Sequence, residues 1–337
     1  MSEKVKVAIN GFGRIGRAAF KIALANDDVD IVAINDLGNL ENLAYLLRYD
    51  TVYGRYAQEI ELQEGKMIVG GHEVAVFQEK DPAAIPWGDL GVDVVIESTG
   101  VFTEEEGARG HLTGGARKVI ISAPTKSEGL STVVLGVNDK ELAGKDIISN
   151  ASCTTNCAAP VMAVLHNVFG VEKALLTTAH AYTATQSIVD GPAKDDFRRG
   201  RAAAQNIIPA STGAAIAATK ALPDLAGKFD GVSLRVPVPI VSNADIVALL
   251  KKDVTVEEVN DAFREAVSNP IYRGVVAVTE EDNVSSDFIG DPHSAIVDIQ
   301  MTRVVGGNLV KVMAWYDNEW AYSNRLIEQV VEIGREE

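Results

Sequence analysis

Short apolar runs alternate with segments of helical spacing along the first half of the chain. "VKVAI" (5–9) predicts a buried strand, "RAAFKIALAN" (17–26) a helix, "VDIVAIND" (29–36) a second strand and "NLENLAYLLRYD" (39–50) a second helix. "DVVIESTG" (93–100), "EEEGARGHLTGG" (104–115) and "KVIISAP" (118–124) continue as strand, helix and strand. Such alternation predicts a parallel sheet with its ligand at the carboxyl ends of the strands. Thr99, Gly100 and Ser122 fall at those ends. Residues 56–77 break the rhythm with short runs around "EGK" and "GGH", which predict a small antiparallel insertion.

The second half reads differently. "CTTNCAAPVMAVLHNVFG" (153–170) is a helix with apolar positions facing a core. From about 170 to 315 strands dominate, among them "KALLTTAHAYTAT", "FDGVSLRVPVP", "ADIVALLKKD" and "SAIVDIQMTRVVGGNLVKVMAWYD". "TVEEVNDAFREAVSN" (255–269) carries a Thr cap with Glu three residues on. The pattern predicts a mainly antiparallel sheet with helices on one face, closed by an amphipathic C-terminal helix.

Between the first strand and first helix lies "NGFGRIG" (10–16), followed at the second strand's end by Asp36. Strand, G-x-G-x-x-G, helix, strand, acid is the order of a Rossmann-type dinucleotide site. Gly11 permits the tight turn, Gly13 lets backbone approach a pyrophosphate, and Gly16 lets the helix pack close to the sheet. The N–H groups around Arg14 and Ile15 face that anion. A carboxylate at Asp36 accepts from the adenosine ribose hydroxyls and repels a 2′-phosphate, favouring NAD over NADP. Asp36 also stands where it could cap the next helix. The fold class is therefore α/β: a Rossmann-type parallel-sheet domain plus an α+β domain with a mainly antiparallel sheet.

The 337 residues suffice for two domains. A net charge of −16 disfavours nucleic acid and anionic membranes as main partners. No apolar run is long enough to span a bilayer, and "MSEKVKVAIN" enters a strand too early for a signal peptide, which points to the cytoplasm.

Both cysteines, Cys153 and Cys157, lie in "SNASCTTNCAAP" (149–160). Helical spacing sets their Cβ atoms about 5–6 Å apart, beyond the reach of a disulfide. Two thiols without a nearby His make no closed zinc site, so no metal is expected. A nucleophile or a buried structural thiol remain. Cys153 falls at a helix N-terminus, where the dipole favours a thiolate, whereas Cys157 lies one turn inside as a small hydrophobe. His180 ends an apolar strand and could reach Cys153, or could be a packed imidazole. Thr154, Thr183 and Thr212 read individually as capping or turn hydroxyls as readily as ligand contacts. Arg235 sits in apolar "VSLRVPVP", which suggests a functional buried charge rather than a surface ion pair.

"NGFGRIGR", "SNASCTTNC", "HAYTATQ", "NIIPASTGAA" and "WYDNEWAYSNR" resemble, in order and over essentially the whole chain, the glyceraldehyde-3-phosphate dehydrogenase family. The resemblance implies a homotetramer of two-domain subunits that oxidises and phosphorylates glyceraldehyde 3-phosphate with NAD and inorganic phosphate. It implies residues 1–152 and 317–337 as the NAD-binding domain, with the C-terminal helix returning to it, and 153–316 as the catalytic domain. Cys153 matches the catalytic cysteine and His180 its activating histidine. Ser152 and Thr154 match substrate- or phosphate-binding neighbours. Thr183 and Arg235 match the site for the substrate's phosphate, and Thr212 and Gly213 that for inorganic phosphate. Arg14, Ile15, Asp36, Ser122 and Asn318 match NAD contacts, and Lys80 stands where many members carry Arg. Arg198 and Arg201 fall in a loop lining a neighbouring subunit's cofactor site, and Pro192 fits the NAD-preferring pattern. The related erythrose-4-phosphate dehydrogenases share much of this pattern. A non-catalytic nucleotide-binding protein is the alternative of another class.

Overall fold

The computed structural model describes residues 3–193 and 196–336. The chain forms two compact units. One comprises the residues up to Val133, Asp139–Ala151 and the segment from Ser323 onward, and the other Val134–Asn138 and Ser152–Tyr322.

The first unit holds an eight-stranded sheet. Its strands run spatially Ile147–Ser149, Lys118–Ile121, Val94–Glu97, Val5–Asn10, Val29–Asn35, His72–Phe77, Lys66–Val69 and Ile60–Gln63. The first six pair in parallel and the last two antiparallel. The expected insertion at 56–77 is thus the edge of the main sheet, because His72–Phe77 joins Val29–Asn35 in parallel register. Val5–Asn10 is flanked by Val29–Asn35 and Val94–Glu97, so the strand order reverses there and opens a crevice at the carboxyl ends. The central strands are buried on both faces, consistent with their unbroken apolar runs. The helix Arg14–Leu24 follows the glycine turn. The helix Leu40–Arg48 is capped by Asn39, whose side chain accepts from the Asn42 N–H. Asp36 is therefore not the helix cap.

The second unit holds another eight-stranded sheet. Ile208–Ser211, Phe229–Val236, Val171–Ala181, Ser242–Leu250, Leu309–Tyr316, Ala295–Asp298 and Val276–Thr279 lie in that order, and Arg303–Val305 pairs with Leu309–Tyr316. Most pairs are antiparallel, but Val171–Ala181 runs parallel to Phe229–Val236 and sets His180 beside Arg235. The helix Cys153–Phe169 is buried along most of its length and packs on this sheet beside the helices Ala214–Ala221 and Val256–Ser268. The capping box of Thr255 and Glu258 is formed. The sheet also carries exposed apolar side chains, with Leu175 66%, Val232 53% and Val305 64% accessible. Leu175 alternates along its strand with the buried Ala174 and Leu176.

Candidate functional site

The thiol site lies wholly in the second unit. Ser152 caps the helix Cys153–Phe169, its hydroxyl accepting from the Thr155 N–H at 3.1 Å. Cys153 opens the helix and Cys157 is fully buried one turn on. Both thiols are free. Cys153 Sγ lies 3.4 Å from His180 Nε2. The Nδ1 atom of the same imidazole lies 2.7 Å from the Ala181 carbonyl oxygen. In the tautomer whose Nδ1–H bonds this carbonyl, Nε2 presents its lone pair to the thiol; in the other, Nδ1 accepts from Arg235 and Nε2 carries the proton. Arg235 Nη1 stands 2.8 Å from Nδ1 and donates to the Ala181 carbonyl at 3.1 Å.

Electrostatics here oppose either charge alone. Burial pushes the Cys153 thiol up, against the pull of Arg235, the Thr154 hydroxyl and the N–H groups of the helix start. Burial, helped by Arg235, pushes His180 down to about 4. The helix start alone thus does not depress the thiol, because desolvation of sulfur outweighs it. A thiolate needs its proton taken by a group that stays beside it, and His180 is placed for that.

A second layer of hydroxyls, of which the sequence singles out Thr154 but not Tyr316 or Thr178, supports the pair. Tyr316 Oη bridges the hydroxyls of Thr154 and Thr178, each at 2.9 Å. The Tyr316 ring meets the His180 ring edge-on, with centroids 6.1 Å apart. The Thr154 hydroxyl is thereby buried between Tyr316 and Cys153 Sγ rather than open to a ligand. Val241 takes a left-handed φ of 65°, a strained conformation for a β-branched residue. The next residue, Ser242, accepts from the Ala181 N–H at 3.1 Å and donates to Asn318 Oδ1 at 3.0 Å.

The anion-binding candidates lie in the same unit, Thr183, Thr212 and Gly213 on loops and Arg235 in the strand Phe229–Val236. Thr183 Oγ1 is 3.0 Å from Thr185 Oγ1, which accepts from Arg199 at 3.5 Å. Thr185 and Arg199 line a cavity of about 560 Å³ that neither residue's local pattern announced. Thr212 Oγ1 accepts from the Ala214 N–H, and Gly213 stands at the start of the helix Ala214–Ala221 with open space at its Cβ position. Arg235 is largely buried, and its Nε has no hydrogen-bond partner among the described residues. Arg201 pairs with Asp190 at 3.0 Å, the Arg198 N–H is bound by Asp196, and Pro192 is exposed.

The first unit contains the other cleft, a cavity of about 460 Å³ lined by Gly11, Gly13, Asp36, Lys80 and Thr99 among others. A Cβ on Gly11 (φ 95°) would stand 2.6 Å from the Thr99 nitrogen, and one on Gly16 2.1 Å from the Gly11 carbonyl oxygen. Both contacts require glycine. Gly13 differs, because a Cβ there would meet nothing within 4 Å and would project into the open cleft. The helix start behind it, at Arg14 and Ile15, has no side-chain cap. The Arg14 side chain itself turns to Asp50 at 2.7 Å. Asp36 holds the Phe12 and Gly38 N–H groups, each at 2.7 Å, and lines the cleft with its carboxylate. Ser122 ends the neighbouring strand, its N–H bound to the Glu97 carbonyl at 2.9 Å, and Gly100 sits in the loop after Thr99. An open Gly13 cradle, an uncapped helix start and an acid at the second strand's end fit NAD.

Comparison with known proteins agrees with this geometry. Residues 5–105 match the family model described as the glyceraldehyde 3-phosphate dehydrogenase NAD-binding domain, and residues 152–318 its C-terminal domain. A glyceraldehyde-3-phosphate dehydrogenase of Streptomyces coelicolor is 51% identical over 98% of this chain and 99% of its own. The enzyme of Geobacillus stearothermophilus is 50% identical over 96% of each chain. Glyceraldehyde-3-phosphate dehydrogenase 1 of Kluyveromyces lactis is 49% identical over 97% of this chain and 98% of its own.

Proposed function

The chain belongs to the glyceraldehyde-3-phosphate dehydrogenase family, and on that premise we propose that it converts D-glyceraldehyde 3-phosphate and inorganic phosphate to 1,3-bisphosphoglycerate with NAD. The observation that carries this reading is the 3.4 Å approach of His180 Nε2 to Cys153 Sγ beside Arg235.

In this reading His180 takes the thiol proton and Cys153 Sγ bonds to the aldehyde carbon. The oxyanion of the resulting hemithioacetal meets the helix-start N–H and protonated His180, which returns the proton to it. His180 then removes that hydroxyl proton as the carbon gives up a hydride. NAD, when bound, supplies the hydride acceptor, held in the first unit by Gly11, Gly13, Arg14, Ile15, Gly16, Asp36, Lys80, Thr99, Gly100 and Ser122. The Cys153 thioester keeps an electrophilic carbonyl, which phosphate attacks to release the acyl phosphate and the Cys153 thiolate. Thr183 and Arg235 hold the substrate's phosphate, and Thr212 and Gly213 hold the attacking phosphate. Ser152 and Thr154 act through the helix start, the one as its cap and the other through Tyr316. The exposed Leu175, Val232 and Val305 of this sheet support a homotetramer whose subunits cover them. The enzyme acts in the cytoplasm.

Initial rates of NAD reduction with glyceraldehyde 3-phosphate and erythrose 4-phosphate, each with and without phosphate, test the assignment. The expected result is phosphate-dependent turnover favouring the three-carbon aldehyde. Preference for the four-carbon aldehyde makes the chain an erythrose-4-phosphate dehydrogenase. No reduction with either makes it a non-catalytic nucleotide-binding protein.

A further inference from the structure

Beneath the dinucleotide cleft lies a buried polar chain that the reaction does not use. Glu97 ends the strand Val94–Glu97 and is 2% exposed, and His111 on the helix Glu105–Thr113 is fully buried. One Glu97 oxygen, Oε1, accepts from both the backbone N–H and the hydroxyl of Thr99. The other, Oε2, accepts from Asn10 Nδ2 and lies 3.0 Å from His111 Nε2. Trp87 Nε1 stands 3.1 Å from His111 Nδ1.

The donors fix the tautomer. An indole N–H only donates, so His111 Nδ1 is an acceptor and Nε2 carries the proton that goes to Glu97. Every lone-pair direction of the carboxylate is then met by a donor. The chain continues across adjacent strand ends, since Asn10 Oδ1 accepts from Asn35 at 2.7 Å and Asn35 Oδ1 accepts from the Glu79 N–H at 2.8 Å. Asn10, Asn35, Glu79 and Thr99 all line the cleft, whereas Glu97, His111 and Trp87 lie behind it. The Thr99 hydroxyl in turn accepts from the Val101 N–H at 3.0 Å, so Glu97 governs the turn that packs against Gly11.

We propose that Glu97 is a positioning residue for the cofactor, its two oxygens tying the exposed Thr99 turn to Asn10 at the end of the adjacent strand, and through Asn10 to Asn35, with His111 and Trp87 fixing the carboxylate from behind. It touches no ligand and acts by holding the cleft wall in the binding conformation before NAD arrives. This rests on the reading of the cleft as the NAD site.

Replacing Glu97 with Gln keeps the shape but puts an amide NH₂ where two donors now point. Calorimetric titration of the folded protein with NAD should show a dissociation constant raised about tenfold or more for Glu97→Gln, with the aldehyde KM unchanged and kcat at saturating NAD within about threefold. Thr99→Val should weaken NAD about threefold in the wild-type background and by much less in the Glu97→Gln background, because the two changes break one network. Asp36→Ala serves as the control for the cleft itself. If it leaves NAD affinity unchanged, the cleft is not the NAD site and both readings fall. If Asp36→Ala weakens NAD while Glu97→Gln binds within twofold of wild type, or if the two network changes multiply independently, the positioning role alone is overturned. Should Glu97→Gln not fold, Thr99→Val at the exposed rim decides, and an unchanged affinity there overturns the proposal.

Discussion

His180 Nε2 faces Cys153 Sγ at 3.4 Å while its Nδ1 lies 2.7 Å from the Ala181 carbonyl oxygen. With its proton on Nδ1, the imidazole accepts from a thiol that burial would otherwise keep protonated. His180→Asn should cut kcat by about 10²–10⁴-fold and slow alkylation of Cys153 by iodoacetamide at neutral pH. Cys153→Ser should abolish dehydrogenation, whereas Cys157→Ser should chiefly lower stability, since Cys157 is fully buried one turn inside the helix. An unchanged alkylation rate in His180→Asn would show that the thiol ionises without its neighbour.

Asp36 serves two ends at once. Its carboxylate holds the Phe12 and Gly38 N–H groups at 2.7 Å each, and it presents negative charge in the cleft. Asp36→Ser should raise the efficiency with NADP relative to NAD at least about tenfold, because the like charge against a 2′-phosphate is gone. The same change should cost about 1–3 kcal/mol of stability through loss of a charged acceptor. Kinetics with both cofactors and denaturant unfolding separate the two effects. Equal use of NADP and NAD by the unaltered protein would remove the charge argument.

Much of this was legible in the sequence, and the reasons differ by element. The parallel strands and the glycine turn follow from apolar runs and a spacing that local geometry demands, so Gly11, Gly13, Gly16 and Asp36 declare themselves. Cys153 and His180 were legible as a helix start and a strand end, but their approach depends on how sheet and helix pack. Arg235 becomes a partner of His180 only through parallel register between strands 55 residues apart. Tyr316 was invisible as a site residue, because its partners Thr154 and Thr178 lie 162 and 138 residues away. The strands of residues 60–77 looked like a separate insertion because each is short, and edge pairing is not written in periodicity.

Tyr316 joins two threonines from different elements under the thiol. Its hydroxyl is buried, and burial with the nearby thiols pushes its ionisation well up, so it acts as a neutral bridge. Tyr316→Phe leaves both threonine hydroxyls without this partner and should destabilise the protein by about 1–3 kcal/mol. Because Thr154 adjoins Cys153, kcat should fall as well, while NAD affinity should not change. Denaturant unfolding and steady-state kinetics on the same preparation check this. Full stability in Tyr316→Phe would mean the two threonines re-pair locally and the bridge is dispensable.

Asp50 provides the pH-dependent case. Its side chain is 7% exposed, accepts from Arg14 Nη1 at 2.7 Å, and takes the Val52 and Tyr53 N–H groups at 2.8 and 3.1 Å. Burial works to raise its pKa, but the two backbone donors and Arg14 outweigh it and hold the carboxyl below its usual 3.8. The folded protein therefore binds fewer protons here than the unfolded chain as pH falls through the carboxylate range. The stabilisation is complete above about pH 4 and is lost as pH drops through the folded-state value. Asp50→Asn keeps an oxygen for the backbone donors but cannot accept from Arg14 at its amide nitrogen. It should cost about 1–3 kcal/mol at neutral pH, constant from pH 7 to 5, and the gap to the unaltered protein should close below about pH 4. Urea unfolding of both proteins across that range measures the gap directly. Other acid-sensitive groups, His180 included, are common to both and cancel in the difference. A gap that persists undiminished to the lowest measurable pH would show that Asp50 stabilises by packing and not by its charge.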